Sequence, residues 1–158
     1  MILLSYILVG LGAFVFMEMV AWFTHKYIMH GFLWSLHKDH HRKDEGHFFE
    51  KNDFFFVIFA LPGMLLFLLG TLQHLPYLIA IATGITLYGA TYFLVHDVFV
   101  HQRFRWLRNS DNVYLRALRR AHKMHHKHIG KEKGECFGML FFPVRFLKDA
   151  FSKEKSYS

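Results

Sequence analysis

The chain has one cysteine, Cys136, among 158 residues, so no disulfide can close within it. A lone thiol can ligate a metal or fill apolar space, and filling beside Phe137 is the expected use. Cationic charge is missing from two long stretches. No Lys or Arg occurs in residues 1–25, and none between Lys51 and Arg103. All nineteen lie in Lys26–Lys51 and Arg103–Lys155. The net charge of +7 therefore does not mark a nucleic-acid protein, which has no use for such gaps. A membrane protein with its polar parts on one side does. The composition agrees: 53% of residues are hydrophobic, nineteen are Phe, and mean hydropathy is positive although 20% are charged.

The cation-free stretches hold the apolar runs. Residues 2–23, "ILLSYILVGLGAFVFMEMVAWF", are interrupted only by Ser5 and Glu18. As a helix they extend roughly 33 Å, enough to cross a bilayer. A cleaved signal peptide fits poorly: the run is too long, lacks a basic leader and is followed by no small-x-small site. Residues 54–72 form a second span, with "LPG" at 61–63 as an expected kink, and residues 75–95 a third. Only "QHLP" separates these two, so they pair antiparallel. Three crossings leave 24–53 and 97–158 on one side. Both are basic, which makes that side cytoplasmic and puts the N-terminus outside. Residues 136–151 are apolar but broken by Pro143 and Arg145, and read as an interfacial helix. "SKEKSYS" reads as a disordered end. The expected fold is an all-α integral membrane bundle, one domain over 1–158, with a histidine-rich cytoplasmic cap.

Ten of the thirteen histidines obey two spacings, each used twice. His25 and His30 form H-x4-H, and His37, His40 and His41 form H-x2-H-H. His96 and His101 repeat the first pattern; His122, His125 and His126 repeat the second. On a helix, positions i, i+3 and i+4 share a face, so the second spacing lets three rings converge. A helix over 111–127, capped by Asp111 or Ser110, carries Leu115, Leu118, His122 and His125 on one stripe and Arg116, Arg120, Lys123 and Lys127 on another. The first spacing is less obliging, because five α-helical residues leave a rotation of about 140°. Either the helix ends or unwinds between these pairs, or their members reach different metals. Gly31 is a stop signal just after His30. Any one histidine near an apolar helix is ordinarily a hydrogen-bonded or interfacial residue. Four clusters in two repeated spacings point instead to metal ligation by the set, with His47, His74 and His128 outside it.

Ten imidazoles exceed the needs of one ion and suit a dimetal site. Imidazole serves zinc, copper, iron and nickel alike, so ligand type does not select the metal. Redox chemistry on a C–H bond of a lipid-soluble substrate is the natural task beside apolar spans, and zinc cannot perform it. Glu18 lies two turns before His25; it either orients a ligand ring or is solvated near the interface. Asp39 and Asp97 sit beside ligands, with surface charge the favoured reading and ring orientation the alternative. Trp22, Phe54, Phe55, Phe56, Tyr92 and Phe93 are candidates for lining a path from lipid, against plain lipid packing. The basic residues Arg116, Arg119, Arg120 and Lys123 suit anionic headgroups or an acidic redox partner.

The segments "HKYIMHG", "HKDHH", "NDFFFVIFALPG", "VHDVFVHQRF", "YLRALRRAHKMHH" and "GECFGMLFFP" resemble the bacterial β-carotene hydroxylase branch of the fatty-acid hydroxylase superfamily, membrane non-haem di-iron enzymes. The four boxes alone indicate the superfamily; the intervening segments and short length indicate the branch. The resemblance implies 3-hydroxylation of β-ionone rings, β-carotene passing through β-cryptoxanthin to zeaxanthin. It further implies two iron ions, O2 as co-substrate, a reduced ferredoxin-like electron donor, and a ligand role for each of the ten box histidines. Zinc is expected to be able to replace iron in a purified sample. The rival readings are another superfamily oxidase (a carotenoid ketolase, or a sterol or fatty-acyl hydroxylase or desaturase) and a membrane metal-transport or storage protein. Spans two and three hold no ionisable residue at mid-depth, which counts against transport.

Overall fold

The computed structural model describes residues 1–42, 48–104, 106, 109–128, 130, 132 and 134–155. Six α-helices account for most of them: α1 (Ile2–Phe23), α2 (Trp34–His41), α3 (Phe54–Leu72), α4 (Pro76–Tyr92), α5 (Val113–Lys127) and α6 (Val144–Lys155). Among the described residues there is no strand. Three continuous helical stretches are long and apolar enough to cross a membrane: Ile2–Phe32, Lys51–Leu72 and Pro76–Val100. Each is apolar nearly all round, and Leu4, Ile7, Leu11, Phe56, Leu65 and Leu87 are exposed, as a bilayer solvent permits.

Close approach of backbones packs these helices, as is usual where apolar burial from water cannot drive association. A Cβ on Gly84 of α4 would collide with the Gly10 carbonyl of α1. Met17, Ala21 and Tyr88 form the buried seam beside it. The α3–α4 hairpin turns at Gln73–Leu75, with His74 at φ 53° and Pro76 opening α4, where its missing N–H costs nothing. α3 runs unbroken through Pro62, and Gly63 there faces Ile85 of α4. Outside the spans, α6 lies on α5 through Ala117, Ala121, Phe146 and Ala150.

The first and third spans outrun the sequence expectation, and the reason bears on the site. α1 passes into a π-helical stretch, Thr24–Phe32, and α4 into another, Phe93–Val100. A π-turn closes i→i+5 hydrogen bonds. The amide of His101 donates to the carbonyl of His96 at 2.8 Å, and that of Leu33 to Ile28 at 3.0 Å. The helix therefore widens between each H-x4-H pair where fraying or unwinding was expected, and residues five apart come to one face. The break falls at Gly31, whose φ/ψ of −111°/−123° leaves the helical region. α5 starts two residues later than predicted. Asn112 caps it, its Oδ1 accepting from the Leu115 amide at 3.1 Å, while Ser110 accepts from the Asn112 amide. α6 continues to Lys155, so helix replaces the expected disorder in the first part of "SKEKSYS"; residues 156–158 lie outside the described residues.

Candidate metal centre

The ten box histidines gather at one end of the three long helices. The π-turn after α1 supplies His25 and His30, α2 supplies His37, His40 and His41, the π-turn after α4 supplies His96 and His101, and α5 supplies His122, His125 and His126. Their rings form two groups. His25, His30, His37, His41 and His125 bring one nitrogen each within 4.8 Å of one another, and so do His40, His101, His122 and His126. His96 joins the second group through its Nε2, 3.1 Å from that of His40. The groups abut: the rings of His41 and His126 stack with centroids 4.3 Å apart.

The membership follows from helix geometry. On α2, His37 and His41 stand four apart and share the first group, while His40 crosses to the second. On α5, His122 and His126 share the second group, and His125 crosses to the first. Relative to residue i, position i+4 is turned about 40° one way and i+3 about 60° the other. H-x2-H-H therefore splits two and one across a line between two ions, and each half of the chain lends one ring to the other half's group.

The outer nitrogens fix the proton positions. His25 Nδ1–H donates to the Phe137 carbonyl at 2.9 Å and His125 Nδ1–H to the Glu135 carbonyl at 3.1 Å. His37 Nδ1–H donates to Asn52 Oδ1 at 2.6 Å, His40 Nδ1–H to Glu50 at 2.9 Å and His96 Nδ1–H to Asp97 at 3.3 Å. These oxygens can only accept, so each ring carries its proton on Nδ1. Burial, reinforced by neighbouring rings, favours the neutral form of His37, His40, His41, His122, His125 and His126. It lowers His125 to about 2, lowers His126 to about 4, and takes His40 and His122 well below the usual value. His37 falls to about 3 by burial, although Asn52 pulls the other way. The Nε2 of His37, His40 and His125 is then a bare lone pair, and each faces the Nε2 of another ring. His25 and His37 meet at 3.1 Å, and His40 and His96 at 3.1 Å. Bare lone pairs at that distance repel unless a cation sits among them. Two nitrogens bound at about 2.1 Å and subtending about a right angle at an ion stand about 3 Å apart. The donor set thus fits metal ions.

A second layer locks the second group. Arg103 pairs bidentately with Asp53 at 2.7 and 2.8 Å, reaches Asp97 at 2.9 Å, and donates to the Phe48 carbonyl. Asp53 in turn accepts from the Glu50 amide, and Glu50 holds His40. The guanidinium thus holds the Asp97 carboxylate behind His96 directly and, through Asp53, the backbone of Glu50 behind His40.

Of the three carboxylates weighed for ring orientation, Asp97 meets a box-histidine ring, where surface charge was the favoured reading. Asp39 accepts instead from the Lys51 amide at 2.6 Å, fastening α2 to the turn that carries Glu50 and Asn52. Glu18 is buried, not solvated, and its hydrogen bonds go to Tyr88 and to the amides of Leu140 and Phe141. Sequence reasoning missed Glu50, Asn52, Arg103 and the carbonyls of Glu135 and Phe137. The polar run Glu50–Asp53 at the cap end of a span was an available signal; the carbonyls left none. His128 is exposed beyond α5, His74 lies in the α3–α4 turn, and His47 lies outside the described residues. Cys136 packs against the α5–α6 core, and burial pushes its thiol up to about 12, opposite to what a thiolate ligand needs. Arg119 leaves the expected basic face to stack on Phe99 at 4.0 Å and donate to its carbonyl. Arg120 lies 3.9 Å from Asp149 of α6.

A cavity of about 480 Å³ opens between α1, α3 and α4. It runs from Met64 and Ile85, deep in the spans, to His25 and His96, one ring from each group. Phe55, Phe56, Tyr92 and Phe93 line it, as the sequence suggested. Trp22 and Phe54 are not among its lining residues, and their side chains are exposed.

The sequence pattern of the fatty acid hydroxylase family matches residues 10–145. The chain belongs to that family. It is 45% identical over 127 residues to a beta-carotene hydroxylase of Pantoea ananas, covering 80% of this chain and 71% of the relative. It is 39% identical over 137 residues to a beta-carotene hydroxylase of Paracoccus sp. (strain PC1), covering 86% and 83%. A chloroplastic beta-carotene 3-hydroxylase 2 of Arabidopsis thaliana is 37% identical over 137 residues, which are 85% of this chain and 44% of that longer protein. No solved structure matches the chain.

Proposed function

We propose that this membrane hydroxylase acts on β-carotene, adding a hydroxyl at C3 of the β-ionone ring to give β-cryptoxanthin and then, at the other ring, zeaxanthin. The observation that carries the reading is the cavity: its walls are apolar, it lies within membrane-length helices, and it ends on one histidine from each group. A long hydrocarbon can enter from lipid, seat one end group there, and leave the remainder among acyl chains. The beta-carotene hydroxylases at 38–45% identity support the same substrate.

The ligands in this reading are His25, His30, His37, His41 and His125 for one ion, and His40, His96, His101, His122 and His126 for the other. The metal is iron. When bound, a redox-active pair supplies the reduction of dioxygen and the oxidation of a C–H bond, which zinc does not. The reaction balances as substrate C–H, O2, two electrons and two protons giving C–OH and water, the electrons coming from a ferredoxin-like donor. The chain's own residues do the rest. Glu50, Asn52, Asp97 and the two carbonyls hold the protons of His40, His37, His96, His25 and His125 on Nδ1 and turn Nε2 of these five rings inward. Phe55, Phe59, Tyr92 and Phe93 exclude water and confine the end group beside His25 and His96. The basic composition of the loops supports a cap on the cytoplasmic face, with the N-terminus outside.

Expression in a β-carotene-producing bacterium, with iron and a donor supplied, tests the substrate. Conversion to β-cryptoxanthin and zeaxanthin is expected; β-carotene left unchanged, or ketolated without hydroxylation, overturns the reading.

A further inference from the structure

Glu18 has no role in the reading above, although it is a carboxylate placed inside a membrane-length helix and only 3% exposed. Such a group is costly to bury and is kept where its hydrogen bonds do something. Its Oε2 accepts from the Tyr88 hydroxyl of α4 at 2.7 Å. Its Oε1 accepts from two successive backbone amides, Leu140 at 2.8 Å and Phe141 at 2.9 Å. Those amides belong to the irregular segment between α5 and α6, far away in sequence. Gly138 fits there because it lacks a side chain: a Cβ would stand 2.8 Å from Glu18 Oε1. From the other side, the Tyr114 hydroxyl of α5 donates to the Leu140 carbonyl.

This segment also touches the metal centre. The carbonyl of Phe137 holds the Nδ1 proton of His25. The Phe137 ring stands edge-on to His25, His30 and His125, with centroids 5.5, 5.2 and 5.0 Å away. Phe137 and Tyr88 both line the cavity.

We propose that Glu18 is a positioning residue: with Tyr88 it clamps the 137–141 segment to the membrane helices, and so sets both the carbonyl that orients His25 and the aromatic wall between the cavity and the five-histidine group. The proposal rests on the histidines being ligands; the clamp itself does not. It accounts for a carboxylate seven residues before the first box with no histidine partner. Glutamine in its place keeps an oxygen for the two amides and an amide group for Tyr88. Methionine has similar length but offers no comparable acceptor, so it removes the clamp while filling the space.

The test compares Glu18→Met, Glu18→Gln and Tyr88→Phe in the detergent-solubilised full chain. Amide hydrogen exchange of the metal-free protein reads the clamp, and chelator competition with Co²⁺, together with the cobalt visible spectrum, reads the metal centre. In Glu18→Met, amides of 138–142 are expected to exchange about tenfold faster. One cobalt site should weaken by about tenfold with an altered spectrum, the other staying unchanged. Glu18→Gln should restore most of both, and Tyr88→Phe should show a smaller change in the same direction. Should Glu18→Met not fold, Tyr88→Phe carries the test, with exchange in 138–142 about threefold faster. Unchanged exchange in Glu18→Met, or in Tyr88→Phe where it stands in, overturns the clamp. So does equal damage in Glu18→Gln, which would make charge the operative property. A wild-type protein that binds no cobalt overturns the metal reading above and leaves hydrogen exchange to decide the clamp.

Discussion

The two histidine groups are built alike and braced differently. Each takes the H-x4-H pair and the i, i+4 pair of its own half of the chain, then one ring from the other half. Behind the first group the described acceptors are uncharged: the Phe137 and Glu135 carbonyls and the Asn52 amide. Behind the second stand two carboxylates, Glu50 and Asp97; Arg103 pairs with Asp97 directly and reaches the Glu50 backbone through Asp53. A carboxylate behind an imidazole makes it the more basic ligand and compensates positive charge on the ion. Ions held by the two groups would therefore sit in unequal fields, the second group better suited to the more highly charged state. The difference also separates the sources of rigidity: the segment before α6 for the first group, an ion-pair lattice at the start of α3 for the second.

The largest effect that can break this comparison is loss of a crossing ring. His125→Ala should empty the first group and His40→Ala the second, each abolishing hydroxylation, a loss of more than about a hundredfold, since even an outer partner's loss costs up to that factor in this kind of site. Metal analysis should find about one ion of two remaining in each variant. If His40→Ala instead weakens the ion held by His37 and His41, the crossed arrangement is wrong.

Acid comes next. In the folded chain His37 titrates near 3, His126 near 4 and His125 near 2, against about 6.5 when unfolded. Between about pH 6.5 and 4 the unfolded chain binds more protons than the folded one. Stability therefore rises with pH through this window, is fully present above 6.5, and is lost as pH falls. Metal-free protein in detergent should unfold on acidification across that range, with several protons taken up, as followed by circular dichroism. Bound metal should shift the transition to lower pH, because protons and metal compete for the same lone pairs.

Much of this was legible in local pattern. The spans show in hydropathy because bilayer burial asks only for apolar length, and the ten rings show because their spacing is a helix period. What was not legible depends on crossings between distant elements. Nothing within "HKDHH" says that His40 leaves His37 and His41 to meet His122, 82 residues further along; helix geometry divides the three rings, but only the assembled fold shows which ring each one meets. The H-x4-H pairs looked awkward because an α-helix was assumed; a π-turn reconciles them, bringing residues five apart to one face. Glu18 was noticed as an anomaly, but its partners are backbone amides, which carry no sequence signal.

Arg103→Ala should have an intermediate effect confined to one side. Without the guanidinium, Asp53 and Asp97 repel, and Glu50 and Asp97 lose their fixed aim at His40 and His96. Metal affinity in the second group should fall about tenfold while the first is unchanged. Titration with a chelator, resolving the two ions, checks it; equal loss from both groups would show that Arg103 supports the fold at large.

The smallest effect sharpens the comparison most, because it exchanges charge while keeping each hydrogen bond. Glu50→Gln leaves an amide oxygen for His40 Nδ1–H but removes the anion; burial already raises the Glu50 carboxyl, with Arg103 opposing that rise. Asn52→Asp gives His37 a carboxylate where an amide stood, 2.6 Å from its Nδ1. The first change should weaken the second group's ion by about threefold, and the second should tighten the first group's ion by about as much, below the factor expected when an outer partner is deleted outright. Made together, they should narrow the difference between the two ions in affinity and in redox potential. Should both substitutions move affinity in the same direction, the charge behind the rings is not what distinguishes the groups, and geometry alone must carry the inequality.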